Sequence, residues 1–77
     1  MELKEAQEKL IAAINSDPEM VIAKAISIRP SAADIAAETR KASGPIAGVA
    51  AATVMYALEA KTAAESAANI ISFAYSI

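Results

Sequence analysis

The side chains able to take part in chemistry in this sequence are carboxylates, hydroxyls, lysines and arginines, because histidine and cysteine are both absent. Two carboxylates one helical turn apart can act as general acid and general base, and Asp34 and Glu38 have that spacing. Arg40 and Lys41 follow them directly, a pattern typical of a solvated, charge-balanced helix face. The pair therefore predicts a surface feature and not a catalytic site.

The remaining reactive groups lack the partners that catalysis needs. No imidazole or thiol is present to activate a serine or threonine hydroxyl or to hold a metal ion. The chain has only two glycines and no glycine-rich phosphate loop. The sequence predicts a protein that is not an enzyme, with no catalytic residues, no metal site and no cofactor.

Charge excludes further classes of function. The net charge is −2, and seven basic residues are scattered among nine acidic ones. A nucleic-acid-binding protein is expected to cluster its basic residues on one face. Residues 31–39 superficially resemble the first helix of a helix-turn-helix, but residues 45–58 contain no basic residue to contact DNA. We therefore expect no nucleic acid partner.

The elements that must position these groups are helices. Alanine, the best helix former, supplies 21 of the 77 residues, whereas aromatic residues number three. Ser16-Asp17-Pro18 is a helix start signal, Pro30 ends a helix, and Ser31 with Asp34 has the spacing of a capping box. In the segment Ser43-Gly44-Pro45, Gly44 suits a helix C-cap and Pro45 the first turn of the next helix.

These signals predict an all-α helical bundle in a single domain, residues 1–77. Three short helices over about 2–15, 18–28 and 32–42 precede one long alanine-rich helix over about 45–76. That last helix would span nearly 50 Å at about 1.5 Å per residue.

The long helix carries two apolar seams at alternating spacings of three and four residues. The first seam is Ile46, Val49, Thr53, Tyr56, Ala60, Ala63, Ala67, Ile70, Ala74 and Ile77. The second seam is Ala47, Ala50, Val54, Ala57, Lys61, Ala64, Ala68, Ile71 and Tyr75. Apolar side chains therefore cover more than half of the circumference, which three short helices are not expected to hide.

The end of this helix, Tyr75-Ser76-Ile77 after an alanine-rich stretch, resembles subunits of bacterial R-bodies, which are coiled protein ribbons. The resemblance covers only a few residues, and the glutamine-rich stretch of those subunits is absent. No fold or function is carried over from it.

The surplus apolar surface predicts a self-assembling structural subunit, either a closed homo-oligomer or a filament. The predicted interface residues are Ile46, Val49, Tyr56, Ala60, Ala63, Ala64, Ala67, Ile70, Phe73, Tyr75 and Ile77. Two alternatives stay open: a small helical adaptor or chaperone that binds another helical protein, and a membrane-associated helical peptide. Residues 42–58 carry no charge but are shorter than the roughly 20 apolar residues of a spanning helix.

The N-terminal residues predict where the protein acts. The segment Met1-Glu2-Leu3-Lys4-Glu5 is charged and lacks the apolar core of a secretory signal. We expect a cytoplasmic protein by default, with export to the cell surface by a non-Sec route left open.

Overall fold

Five α-helices make up the computed structural model, which describes residues 1–42 and 44–77. The helices are α1 (Leu3–Ser16), α2 (Pro18–Ile28), α3 (Ala32–Lys41), α4 (Ile46–Ala57) and α5 (Ala63–Ser76). They pack around a shared hydrophobic core. The predicted all-α helical bundle is confirmed.

The first three helices lie within one residue of their predicted bounds. The start of α2 has the expected cap, since the Asp17 side chain accepts a hydrogen bond from the Met20 backbone N–H at 3.3 Å. Pro18 is the first residue of that helix, where its missing N–H costs nothing.

The predicted capping box at Ser31 is wrong. The Ser31 hydroxyl lies 2.9 Å from the Tyr56 hydroxyl, and the side chain makes no hydrogen bond to the start of α3. The first N–H groups of that segment instead donate to carbonyls three residues earlier, from Ala32 to Arg29 and from Asp34 to Ser31. A tight turn therefore satisfies the N–H groups that a serine cap was expected to bond. The Ser31 hydroxyl interacts instead with the Tyr56 side chain of α4.

The prediction of a single long helix over about residues 45–76 is also wrong, because α4 ends at Ala57 and α5 begins at Ala63. A continuous helix over residues 46–76 would be about 46 Å long, and the longest dimension of the molecule is 34 Å. Bending the chain instead brings Phe73 into the core, where only 1% of its surface is exposed. Burial of this ring is the term that outweighs the helix-forming tendency of the residues between the two helices.

The segment before α4 differs from its prediction by one residue. Gly44 has φ +147°, a conformation that favours glycine, as expected for a residue that turns the chain. Pro45 precedes α4 as its N-cap and is not its first helical residue. Ser43, which belonged to the same predicted break, lies outside the described residues.

The hydrophobic core is centred on α4. This helix is flanked by α2 on one side and α3 on the other, and its residues Val49, Ala50, Thr53 and Val54 are buried. Thr53 satisfies its buried hydroxyl by donating to the Val49 carbonyl at 2.7 Å. None of the described helices combines the length and the apolar character needed to cross a membrane.

Candidate functional site

The predicted interface residues divide into three groups by their burial. Val49 and Phe73 lie in the chain's own core, with 3% and 1% of their surface exposed. Ile46, Ile70 and Ile77 are half-buried and pack against that core. In this conformation, those five side chains are engaged within the chain and do not form an open face.

The half-buried Tyr56 is held in a polar cluster that joins the α2–α3 turn to the end of α4. The Arg29 guanidinium stacks 3.9 Å from the centre of the Tyr56 ring and donates to the Tyr56 carbonyl at 2.8 Å. It also lies 3.7 Å from the Glu59 carboxylate; the Glu59 side chain is largely exposed and that of Arg29 is 42% exposed. Because the last carbonyls of a helix carry partial negative charge, Arg29 stabilises the end of α4.

The exposed members of the predicted interface all lie at or on α5. Ala63, Ala64 and Tyr75 are exposed, while Ala60 and Ala67 are half-buried. Tyr75 keeps 63% of its surface exposed, although its hydroxyl accepts a hydrogen bond from the Met1 amino group at 2.6 Å.

Ala64 and Tyr75 belong to a longer apolar line along α5, here called the outer stripe. It consists of Ala64, Ala68, Ile71 and Tyr75, spaced by four, three and four residues on one side of the helix. Ile71 is half-buried and the other three residues are exposed. Ala68 and Ile71 were not among the predicted interface residues, but the second apolar seam of the sequence contains both.

Exposed apolar side chains outside the predicted interface include Met55, Ile11 and Ile28. Met55 on α4 has 74% of its surface exposed, the largest fraction among the large hydrophobic residues of the described chain. It belongs to neither seam and lies on the opposite side of α4, so their periodicity gave no signal for it.

Two clefts separate α5 from the helices around α4. One has a volume of about 280 Å³, and its lining residues are Leu10, Val54, Met55, Leu58, Glu59, Ser66 and Ile70. The other has a volume of about 370 Å³, and its lining residues are Lys24, Ser27, Ile28, Ala57, Leu58, Asn69, Ser72, Phe73 and Ser76. Leu58 lines both clefts and so stands between them.

The backbone of α5 comes close to that of only one other helix in the described chain, α1. Its remaining attachments are made by side chains, among them Phe73 in the core and Asn69, whose amide donates to the Leu58 carbonyl at 3.2 Å. The start of α5 is capped by Thr62, whose hydroxyl accepts from the Glu65 N–H at 3.1 Å. α5 is therefore the least embedded of the helices that contribute to the core.

Among the described residues, the charged side chains that form ion pairs lie at the surface. No group of three or more acidic residues there is placed to hold a metal ion. The Arg40 guanidinium contacts the Glu19 carboxylate at 3.1 Å on the surface between α2 and α3, an exposed pair of modest strength. The feature with the clearest capacity for binding is apolar.

No protein-family model matches the chain, and neither the curated proteins nor the solved structures include a significantly similar one. The resemblance of residues 75–77 to R-body subunits thus has no support from these comparisons.

Proposed function

We propose that this protein is a structural subunit that assembles with copies of itself through α5. The observation that carries the proposal is the outer stripe, a line of uncharged apolar residues that remains accessible on α5 after the chain has folded. Apolar surface that folding leaves open is a common feature of association sites.

The two ends of the outer stripe have complementary properties for helix packing. Ala64 and Ala68 have small side chains, which let the backbone of a second helix approach closely. Ile71 and Tyr75 supply larger apolar groups, and tyrosine is among the residues that most often dominate interface energy. A second copy of α5 presents the same uncharged surface, so two such stripes can pack without burying an unpaired charge.

The symmetry of the contact decides what kind of assembly forms. A stripe that packs on the stripe of another copy gives a closed dimer with twofold symmetry. A stripe that packs on a different patch, such as the surface around Met55, gives a contact that does not close and extends into a filament. The outer stripe favours the closed form, because it is self-complementary.

The test is a measurement of particle mass over a concentration series by light scattering and analytical ultracentrifugation. The mass is expected to rise from that of the 7.9 kDa chain to a multiple of it. Ala68→Glu places a charge on the stripe and is expected to move the transition to at least tenfold higher concentration, since an interfacial unpaired charge costs more than 1.4 kcal/mol.

Ala37→Glu is the matched control, because Ala37 is an exposed alanine on α3, a helix whose backbone does not approach α5 in the described residues. It is expected to leave the transition unchanged. A wild-type chain that keeps a mass of 7.9 kDa at every concentration reached would rule out self-assembly.

A helical adaptor is the second candidate, favoured by the 280 Å³ cleft with five apolar lining residues, including the exposed Met55. Such a cleft suits an apolar side chain from a helix of a different protein. An adaptor of this kind should stay loosely folded or aggregate when it is expressed alone. A self-assembling subunit should instead give a defined particle.

A further inference from the structure

We infer that assembly proceeds by exchange of α5 between two copies, with residues 58–62 becoming helical and joining α4 to α5. This inference rests on the proposed self-assembly through α5 and replaces the packing of two outer stripes with an exchange of helices, because an exchanged α5 keeps its outer stripe on the surface. In the exchanged dimer, the α5 helix of each copy occupies the seat that α5 occupies in the single chain. The partner is a second copy of this chain, and its binding site is the core beside α1.

The first support is the sequence of the link itself. Leu58-Glu59-Ala60-Lys61 are four strong helix formers, and the chain contains no glycine or proline after Gly48. The first apolar seam also passes through Ala60 without a change of register between Tyr56 and Ala63. Nothing local opposes a continuous helix except the cap at Thr62.

The second support is the hydrogen bonding of the link. Among the described residues, the backbone N–H groups of residues 60–64 have no acceptor. A continuous helix would give each of them the carbonyl four residues earlier. Within the link, the bent form is held by the Thr62 cap, the bond from Asn69 to Leu58 and the bond from Arg29 to Tyr56, while the burial of Phe73 is kept in both forms because the second copy supplies it in the exchanged dimer. The bent and straight forms of the link therefore differ by few interactions.

The third support is that a chain with a straight link cannot complete its own hydrophobic core. Its helix over residues 46–76 would be about 46 Å long, too long to return onto its own α1 in a molecule whose longest dimension is 34 Å. Phe73 would leave the core, and the face of α1 that includes Leu10 would lose its partner. A second straightened copy restores both contacts, because its Phe73 takes the empty position in the core and its α5 covers the face of α1.

The position of α5 makes the exchange simple. Its backbone approaches only α1 in the described chain, and two clefts already separate it from the helices around α4. Its departure breaks no backbone contact between α4 and either α2 or α3, and the core position that Phe73 leaves is filled by Phe73 of the second copy. All contacts of α5 outside the link are remade between the copies, which is the condition for domain swapping.

A proline at position 63 separates the two forms of the link. Ala63 is exposed, its N–H has no acceptor in the described residues, and it is the first residue of α5, where proline is favoured. Thr62 has φ −125° and ψ 157°, the conformation that a following proline requires. Ala63→Pro therefore fits the bent chain but breaks a helix that runs through the link.

The expected result is a dimer dissociation constant at least about a hundredfold higher for Ala63→Pro, with the monomer as stable to urea as the wild type. Proline in a helix interior is disfavoured by about 3 kcal/mol, which corresponds to a factor of about a hundred in an equilibrium constant. Ala63→Ser is the control, because it changes the same exposed side chain and keeps the N–H. It is expected to leave the dissociation constant within a fewfold of the wild type.

A cross-linking experiment reports the exchange directly. The wild-type chain has no cysteine, so the double variant Glu2→Cys and Ser76→Cys carries only two thiols, both at exposed positions next to the Met1–Tyr75 contact. A short bis-maleimide joins these thiols within one chain in the bent form. In an exchanged dimer it joins two chains, which then migrate as a covalent dimer on a denaturing gel.

The outcomes separate this inference from the proposed function. A dimer that Ala63→Pro weakens and that cross-links between chains supports both. A dimer that Ala63→Pro leaves intact, and whose cross-links stay within single chains, overturns the exchange but not the self-assembly. A wild-type chain that is monomeric at every concentration reached overturns both.

Discussion

Phe73 and Tyr75 were predicted together as interface anchors, and the structure gives them different environments that a pair of substitutions can separate. Phe73 is buried in the core with 1% of its surface exposed, while Tyr75 has 63% exposed. Phe73→Ala removes a fully buried ring and leaves a cavity, a change that costs about 3–5 kcal/mol. Tyr75→Ala removes an accessible ring and is expected to cost about 0.5 kcal/mol of monomer stability.

The size of the Phe73 effect decides how the experiment is run. A domain of this length has a total free energy of unfolding of about 4–12 kcal/mol. Phe73→Ala therefore removes a large share of it and can leave the chain only partly folded. Phe73→Leu keeps most of the volume and is the working variant, with an expected loss of about 1 kcal/mol.

The assay is urea unfolding followed by circular dichroism, at a concentration low enough for the chain to be monomeric, because association would otherwise add to the apparent stability. Particle mass against concentration is measured in parallel. Tyr75→Ala is expected to raise the dissociation constant about thirtyfold, the effect of losing an interface residue worth about 2 kcal/mol.

If the two substitutions exchanged their effects, Phe73 would not be the buried ring and Tyr75 would not be the accessible one. A Phe73→Ala chain that loses less than about 1 kcal/mol of stability would mean that the ring is not packed as described. A Tyr75→Ala chain that assembles like the wild type would remove Tyr75 from the interface.

Four further substitutions test the turns between the helices and, at Gly48, the interior of α4. Arg29→Met loses the hydrogen bond to the Tyr56 carbonyl and the contact with the Tyr56 ring, so it should lower the free energy of unfolding by about 1.5–3 kcal/mol in urea titrations. A loss below about 0.5 kcal/mol would show that Arg29 does not stabilise the end of α4. Thr62→Ala removes a cap worth about 1 kcal/mol from each of the two chains and should strengthen the dimer about thirtyfold in mass measurements. An unchanged dimer would mean that the cap does not hold the bend. Gly44→Ala should destabilise the chain by about 1–3 kcal/mol, because the φ angle of Gly44 is +147°. Gly48→Ala should stabilise the chain by about 0.5–1 kcal/mol, because Gly48 lies in a helix with open space around it. Thermal melts in which both substitutions shift the melting temperature in the same direction would contradict these backbone conformations.

The helix boundaries that the sequence predicted well are those set by local chemistry. Asp17 with Pro18, Pro30, and Gly44 with Pro45 act on the chain within one or two residues, so their effect can be recognised without knowing the fold. The break after Ala57 depends on a distant event, the burial of Phe73, and no glycine or proline marks it. A local signal was nevertheless present, because Thr62 and Glu65 have the spacing of a capping box.

The interface prediction had a similar limit. Periodicity identifies which side of a helix is apolar, but it cannot tell which apolar side the chain itself covers. Along α4 both seams face the core, with Val49 in the first and Val54 in the second, whereas along α5 the second seam, with Ala64 and Ala68, contributes the accessible stripe. Ser31 was misassigned for the same reason, since its partner Tyr56 lies 25 residues away.

The pairing of α1 with α5 has a consequence for biosynthesis. The contact between Met1 and Tyr75 joins residues 74 positions apart, whereas α2, α3 and α4 are neighbours in sequence. At roughly 5–20 residues per second, α1 leaves the ribosome some 2–10 s before α5 does. During that interval, the side of α1 that carries Leu10 lacks its contact with α5. Under the proposed exchange, a newly made α1 is therefore open to the α5 of an older copy on an adjacent ribosome.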